Sequence, residues 1–367
     1  MARRRIGQEA FGFVEGERGR NARLDAIGGS IDWAPVARLL DEIYAAAKGE
    51  PAWPPLALFK ALLLGLWHDL SDVMLAETLD DRASFRRFCG FASSEATPER
   101  TAFVRFRREL VTRGLDAKLF AAVTRQLETQ GLAVQTGTLV DATVVPQATK
   151  TDGEAGWCVY GGKHRTPMKG YKAHVAADEA GGIVRRVLVT PANVHDSDGL
   201  VPVLPARPGR VWADRAYDSQ TIHRAIRERR GTPQIARRVT ARMAPATVAA
   251  RTAWNRTVSA VRRRVEKIFG TSKRSYGLGR ARYVGLARVS LQVHLDPPRL
   301  QPEPRGPAPG CPCGCLRPPR EARKTSRAPD HRAREPSRHI PSPSQTAPQA
   351  PRYEHSPVPP TEKAAKR

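Results

Sequence analysis

Acidic residues are scarce in this chain: 36 Asp and Glu face 61 Lys and Arg over 367 residues, for a formal net charge of +25. A surplus of that size speaks of partners more than of fold, and it points to a polyanion. Cysteine is also rare. Of the five present, three crowd at Cys311, Cys313 and Cys315, which offers no disulfide framework. Long apolar runs are missing as well. The stretch from Leu56 to Trp67 is interrupted by Lys60 and is too short to span a bilayer. The opening MARRRIGQEA has bases but no apolar segment of a signal peptide. Neither a secreted disulfide scaffold nor a membrane protein is expected. The predicted setting is the reducing cytoplasm, in association with the nucleoid.

The positive charge that remains is not spread evenly. Residues 224–282 hold 17 Lys and Arg and only two acids, Glu228 and Glu266. Residues 297–367 add 14 bases against 6 acids. A concentrated patch is the footprint of phosphate-backbone binding, whereas scattered charge would say little.

Four segments follow from composition and periodicity. Residues 1–32 are basic and Gly-rich and read as a flexible arm. Residues 33–130 read as an all-helical N-terminal domain. Val36, Leu39, Leu40 and Ile43 recur at helical spacing, as do Leu58, Ala61, Leu62 and Leu66 after Pro54-Pro55, and Thr97-Pro98-Glu99 opens a further helix. Residues 131–295 change character. Thr138 to Val145 is rich in β-branched residues, and two strands, Tyr171–Ala177 and Ile183–Val189, flank the turn sequence Asp178-Glu179-Ala180-Gly181-Gly182. A short run from Arg210 to Ala213 and helices at 220–229 and 253–269 complete an α/β domain, a mixed sheet flanked by helices. Residues 296–367 carry 18 of the 31 prolines and few large apolar residues, so a disordered Pro-rich tail is predicted.

Three carboxylates stand out against this background. Asp141 lies inside the β-branched run, where an acid costs strand stability unless a carboxylate is needed there. Asp214 follows Val211-Trp212-Ala213 at a strand's carboxyl end, where open α/β sheets place their sites. Either could be an ordinary turn or edge residue. Glu266 borders an apolar stripe of Val258, Val261, Val265 and Phe269, and at about 100° per residue Arg262, Glu266 and Lys273 fall within about 40° of one another. Its plain reading is an i, i+4 pair with Arg262 on a solvated helix. Three acids of hard-oxygen character from distant segments suit Mg²⁺ or Mn²⁺. Two such ions can drive an in-line displacement at a phosphodiester, with the basic patch holding the duplex.

At this point the residues resemble a known family. PPLALFKALLLGLWHDLSDVMLAETLDDRASFRRFCGF and TPERTAFVRFRREL resemble the helical N-terminal domain of the insertion-sequence five family of bacterial DDE transposases, related to the insertion-sequence four group. TLVDATVV, MKGYKAHVAADEAGGIVRRVLVTPANVHDSDGL and VWADRAYDS look like its catalytic core. Arg262-x₃-Glu266-x₆-Lys273 matches three of the four positions of its Tyr-x₂-Arg-x₃-Glu-x₆-Lys box. The likeness runs in order over about residues 10–295.

The resemblance implies an RNase H-like catalytic domain over 131–295, with Asp141, Asp214 and Glu266 as metal-binding triad. Arg262 and Lys273, with Arg263 and Lys267 beside them, would contact DNA phosphates. It also implies cleavage at terminal inverted repeats, strand transfer to target DNA, and a synaptic complex of two protomers on double-stranded DNA. Two other readings remain open: a catalytically inactive remnant that only binds DNA, and a nuclease of the same fold that hydrolyses without joining.

The chain departs from the family pattern in three places. Ser259 occupies the Tyr position of the box. Ala216 stands where the family often has Gly, so a left-handed turn there would be strained. After Leu295 the expected apolar helix gives way to Asp296-Pro297-Pro298, as a frameshifted 3′ end would produce. Weaker signals carry less. His164, His174 and His195 fit no zinc spacing, and neither do Cys311, Cys313, Cys315 and His331. Trp33, Trp53 and Trp67 suit core packing. Arg86 and Arg87, between Phe85 and Phe88, would present charge to DNA if residues 70–110 form a helix-turn-helix; a plain helical bundle is the alternative.

Overall fold

The computed structural model describes residues 3–7, 21–43, 51–131, 136–160 and 166–296. Seven helices come first: α1 (Ala22–Ser30), α2 (Ala34–Leu40), α3 (Pro55–Trp67), α4 (Asp72–Asp81), α5 (Ala83–Cys89), α6 (Arg100–Thr112) and α7 (Leu115–Thr129). Then follow β1 (Gly137–Pro146), β2 (Gly156–Tyr160), β3 (Thr166–Asp178), β4 (Val184–Pro191), α8 (Asp196–Val203) and β5 (Arg210–Ala213). A 3-10 turn at Arg215–Tyr217, α9 (Gln220–Glu228), β6 (Thr232–Ile235), α10 (Pro245–Ser275) and α11 (Leu286–His294) close the described chain.

Local chemistry sets these bounds. Pro54-Pro55 opens α3, where a missing N–H costs nothing. That helix is apolar nearly all round and is buried on nearly all sides, as a bundle's central helix must be. Ser71 caps α4, accepting from the backbone N–H of Met74 at 3.2 Å. Gly90 ends α5 in the left-handed conformation (φ 91°), which returns the Phe91 N–H to the Arg86 carbonyl. The arm expected over residues 1–32 differs from what is found. Residues 22–30 form α1, and Leu24 and Ile31 enter the core. Gly28-Gly29 dilutes the apolar spacing enough to hide this helix in the sequence.

The sheet is mixed, in the order β2-β3-β1-β5-β6, with β4 also paired to β3. β3 runs antiparallel to β1, β2 and β4, while β5 and β6 extend the sheet in parallel from β1. This is the mixed α/β layer read from the sequence. Alternation along the strands divides the core. Leu139, Val175 and Trp212 face α10 (Val258, Val265, Phe269) and share one continuous core with α2 through α7. On the opposite face Val140, Ala176, Val211 and Ala213 lie beneath α8 and α9. Val145, Tyr171 and Ala173 pack under α11. The change from helix to strand falls between α7 and β1, yet no gap in the core accompanies it.

No helix among the described residues is long and apolar enough to cross a membrane. The tail expected to be disordered lies, from residue 297 on, outside the described residues. So do His164, Cys311, Cys313, Cys315 and His331.

Candidate active site

Strand register brings the first two acids together. β1 and β5 pair in parallel with Leu139 opposite Trp212. Two residues further along stand Asp141, still in β1, and Asp214, just past the end of β5, and alternation turns Asp141 to the same face as Leu139. That face is the one covered by α10, whose buried stripe includes Arg262. The Arg262 guanidinium reaches Asp141 Oδ2 at 3.0 Å and Asp214 Oδ1 at 3.5 Å. A cation thus already bridges two carboxylates that would otherwise repel.

The two acids differ in environment. Asp141's side chain is 19% exposed and Asp214's 46%. Burial pushes the Asp141 carboxyl above its usual range. Arg262 and the Ala142 N–H hold it back, and the charge of Asp214 adds to the rise. Asp214 caps the 3-10 turn, accepting from the Arg215 N–H at 2.7 Å. That turn carries Tyr217 into the interior, where its hydroxyl finds no hydrogen-bond partner among the described residues. Burial, then the charges of Asp141, Asp196 and Asp214, push this phenol far above its ordinary value. The charges of three carboxylates thus act on one buried hydroxyl. Asp196, at the start of α8, is itself paired with Lys172 at 2.7 Å. Asp196 therefore belongs to the face of the sheet that α8 covers, opposite the one that carries Asp141 and α10. Tyr217 was not singled out in the sequence, although its position three residues beyond Asp214 is the available signal.

Glu266 is placed differently. It is exposed on α10, one turn beyond Arg262, and makes no ion pair or side-chain hydrogen bond with another described residue. No group of three His, Cys, Asp or Glu close enough to hold a metal ion occurs among the described residues. The structure brings Asp141 and Asp214 together and leaves Glu266 outside their contact, with Arg262 filling the gap.

The other candidates divide. Arg263 and Lys267 are exposed on α10, and Lys273 is half-buried, its ammonium pKa lowered by burial. Arg262 itself serves the two aspartates, not solvent. Arg86 corrects its sequence reading, because the side chain is buried. Its guanidinium pairs with Asp80 at 3.0 Å and donates to the carbonyls of Asp80, Ala92 and Glu95. It locks the α5 turn and has no surface to offer DNA. Arg87 is exposed, 3.4 Å from Asp25. Ala216 sits in a right-handed turn with no positive φ, so the anticipated strain is absent. Trp33, Trp53 and Trp67 pack on Phe88, Phe91 and Phe88, with ring centroids 6.0, 5.8 and 5.7 Å apart. His174 is buried, its Nε2 2.9 Å from the Thr190 hydroxyl, and burial pushes its pKa down to about 4.

Comparison with known proteins bears on this geometry. The model of the family described as "Transposase domain (DUF772)" matches residues 14–109. The model described as "Transposase DDE domain" matches residues 133–295, the segment that holds the sheet, both aspartates and α10. The chain belongs to the DDE transposases of insertion sequences. It is a metal-dependent DNA transposase by family, with DNA as partner and a divalent cation as cofactor. Among solved structures, the cryo-EM structure of a piggyBac transposase synaptic complex with hairpin DNA aligns over 75% of this chain and 72% of that chain. The identity is 10% and the TM-score 0.38, a likeness too loose to bear on any single residue. The donor set at the site suits the family's metal: two hard carboxylates stand side by side, and a cation already lies between them.

Proposed function

We propose that this transposase cleaves DNA at the terminal inverted repeats of its element and joins the freed strands to target DNA, with Asp141, Asp214 and Glu266 as its metal-holding acids. The observation that carries this reading is the bridging of Asp141 and Asp214, from the parallel neighbours β1 and β5, by the one guanidinium of Arg262. Glu266 lies about 40° around α10 from Arg262 and one turn further on, so it faces the same side of the helix. Mg²⁺ or Mn²⁺, when bound, would activate the attacking oxygen and stabilise the leaving oxygen of the phosphodiester.

This chain's own residues do the rest. Asp141 and Asp214 present the carboxylates, and the low-dielectric wall around Asp141 strengthens their pull on a cation. Arg262 neutralises the pair until a cation and a phosphate arrive. Arg263, Lys267 and Lys273 bind backbone phosphates along α10, and the helical region 33–130, with exposed Arg87, grips the duplex. Two protomers act together on paired ends, in the bacterial cytoplasm. The membership finer than DDE transposase is the insertion-sequence five family, on the strength of the Arg262, Glu266 and Lys273 spacing.

A nicking assay tests the reading. The duplex is the inverted repeat bordering the gene, incubated with Mg²⁺ or Mn²⁺. Strand cleavage is expected for the native chain, falling at least a hundredfold in Asp141→Asn, Asp214→Asn and Glu266→Gln while DNA binding persists. Undiminished cleavage by Asp214→Asn would refute the assignment. Tight binding without cleavage by the native chain would establish the DNA-binding remnant instead.

A further inference from the structure

β1, β5 and β6 are parallel neighbours, and Ala213 lies opposite Ile235 at the last paired level of β5 and β6. The Ala236 N–H still bonds the Ala213 carbonyl at 3.1 Å, so the chain leaves β6 beside Asp214. Open α/β sheets hold their ligands outside the carboxyl ends of parallel strands. Asp141, just past the last paired level of β1 and β5, and Asp214 stand at that end on the first two strands. Arg237-Arg238 stands there on the third, and β6 runs about 4.8 Å from β5.

α10 holds the main chain of this loop in place. Asn255 grips Arg237 twice, its Oδ1 accepting from the backbone N–H at 2.7 Å and its Nδ2 donating to the carbonyl at 2.9 Å. Arg251 donates to the Arg238 carbonyl at 2.6 Å, and the Trp254 indole N–H to the Ile235 carbonyl at 2.9 Å. The side chains of Arg237 and Arg238, by contrast, are exposed and make no hydrogen bond or ion pair with another described residue. Ordering a loop costs conformational entropy. A fixed main chain beneath two unsatisfied guanidinium groups pre-organises them for a ligand.

Charge decides which ligand. From Arg229 to Val265 the sequence contains no acid. The carboxylates at this end of the sheet are already engaged, Asp141 and Asp214 by Arg262 and Asp218 by His223. A second copy of the chain brings the same net +25, which opposes close approach. A guanidinium fork matches a phosphate, and DNA, the family's partner, presents phosphates in a row.

We infer that the Arg237-Arg238 loop is a phosphate clamp beside the aspartate pair, gripping the DNA backbone within about three nucleotides of the phosphodiester that is cut. The strand spacing of about 4.8 Å, against about 3.4 Å of duplex axis per nucleotide of one strand, sets that range. This rests on the cleavage reading above. The three parallel strands then divide the work: the first two gather the cation, and the third gathers the flanking anions. Such contacts fix register on the duplex and read no sequence.

The test uses the full chain and a fluorescent duplex of the DNA bordering the gene. Arg237→Gln/Arg238→Gln is expected to weaken binding at least tenfold, the order that loss of charge-assisted hydrogen bonds produces. The thermal midpoint should not move, because neither side chain has a partner among the described residues. Location is read by replacing single phosphates with uncharged methylphosphonates along the duplex. Replacements within about three nucleotides of the nick should weaken binding by the native chain and have no further effect on the double variant. Native-like binding by the double variant, or methylphosphonate effects near the nick that are equal in both proteins, would overturn the proposal. Asp214→Asn runs in parallel: nicking by that variant would overturn the cleavage reading alone, while the binding of Arg237→Gln/Arg238→Gln still judges the clamp.

Discussion

Removing the guanidinium of Arg262 leaves Asp141 largely buried beside Asp214 with no neutralising charge. Breaking a buried pair from one side costs about 3 kcal/mol, so Arg262→Ala should lower the thermal midpoint by several degrees. Because the lost partner is a cation, Mn²⁺ should recover part of that loss in Arg262→Ala and none of it in Arg262→Ala/Asp214→Asn. Calorimetry with and without the ion checks both. His174 gives a pH signature. Its pKa falls from 6.5 to about 4 because burial favours the neutral ring. The folded state then binds fewer protons than the unfolded state between those values. Its contribution is present above about pH 6.5 and lost as pH falls toward 4, on the order of 3 kcal/mol at about 1.4 per pH unit. His174→Gln should flatten the melting-temperature profile over that window, and an unchanged slope would show that other groups set it. At this scale the sequence was informative about single acids and silent about their company. Asp141 was legible because an acid in a β-branched run is out of place. The Arg262 bridge was not, since its partner lies 121 positions away and only the fold joins them. Arg86 misled for the same reason, because a basic residue in a helix looks exposed until its carbonyl partners are known.

α8 is held on the sheet by a contact with no spare room. A β-carbon at Gly199 would overlap the imidazole of His174, so Gly199→Ala should force the helix off β3. Overpacking of this kind typically costs about 1–3 kcal/mol. The double variant His174→Ala/Gly199→Ala should recover some of the loss, and denaturant melts of the four chains give the coupling directly. Displacing α8 also draws Asp196 away from Lys172 on β3. Among elements, long periodic segments could be read from sequence. The second half of α10 carries a clear stripe, α3 is an almost unbroken apolar run, and β1, β3, β4 and β5 are bounded by turn residues. β2 and β6 were missed: a run of four or five residues with Gly or Pro at hand has no period to detect, and pairing with a neighbour makes it a strand. α10 begins eight residues earlier than its apolar pattern does, because its first turns are exposed and need only Pro245 at the start.

Over the whole molecule the helical region and the sheet share one core, so they should melt as a unit, in a single calorimetric transition for the described body. The sequence showed the change of element type near residue 131 but could not show this, since core continuity depends on which faces meet. The concentration of bases, by contrast, was plain in composition. On α10 it becomes an exposed strip that includes Arg256, Arg263, Arg264, Lys267 and Arg274. Duplex affinity should therefore fall steeply with salt, and Arg263→Gln/Lys267→Gln should make the log–log slope shallower by about two. The most direct measurement is Mn²⁺ binding to the protein, followed by the loss of the free-ion paramagnetic resonance signal. Saturable binding by the native chain, strengthened in Arg262→Ala and abolished in Asp141→Asn/Asp214→Asn, is the expected result. Equal Mn²⁺ uptake by the native chain and the double asparagine variant would contradict the account.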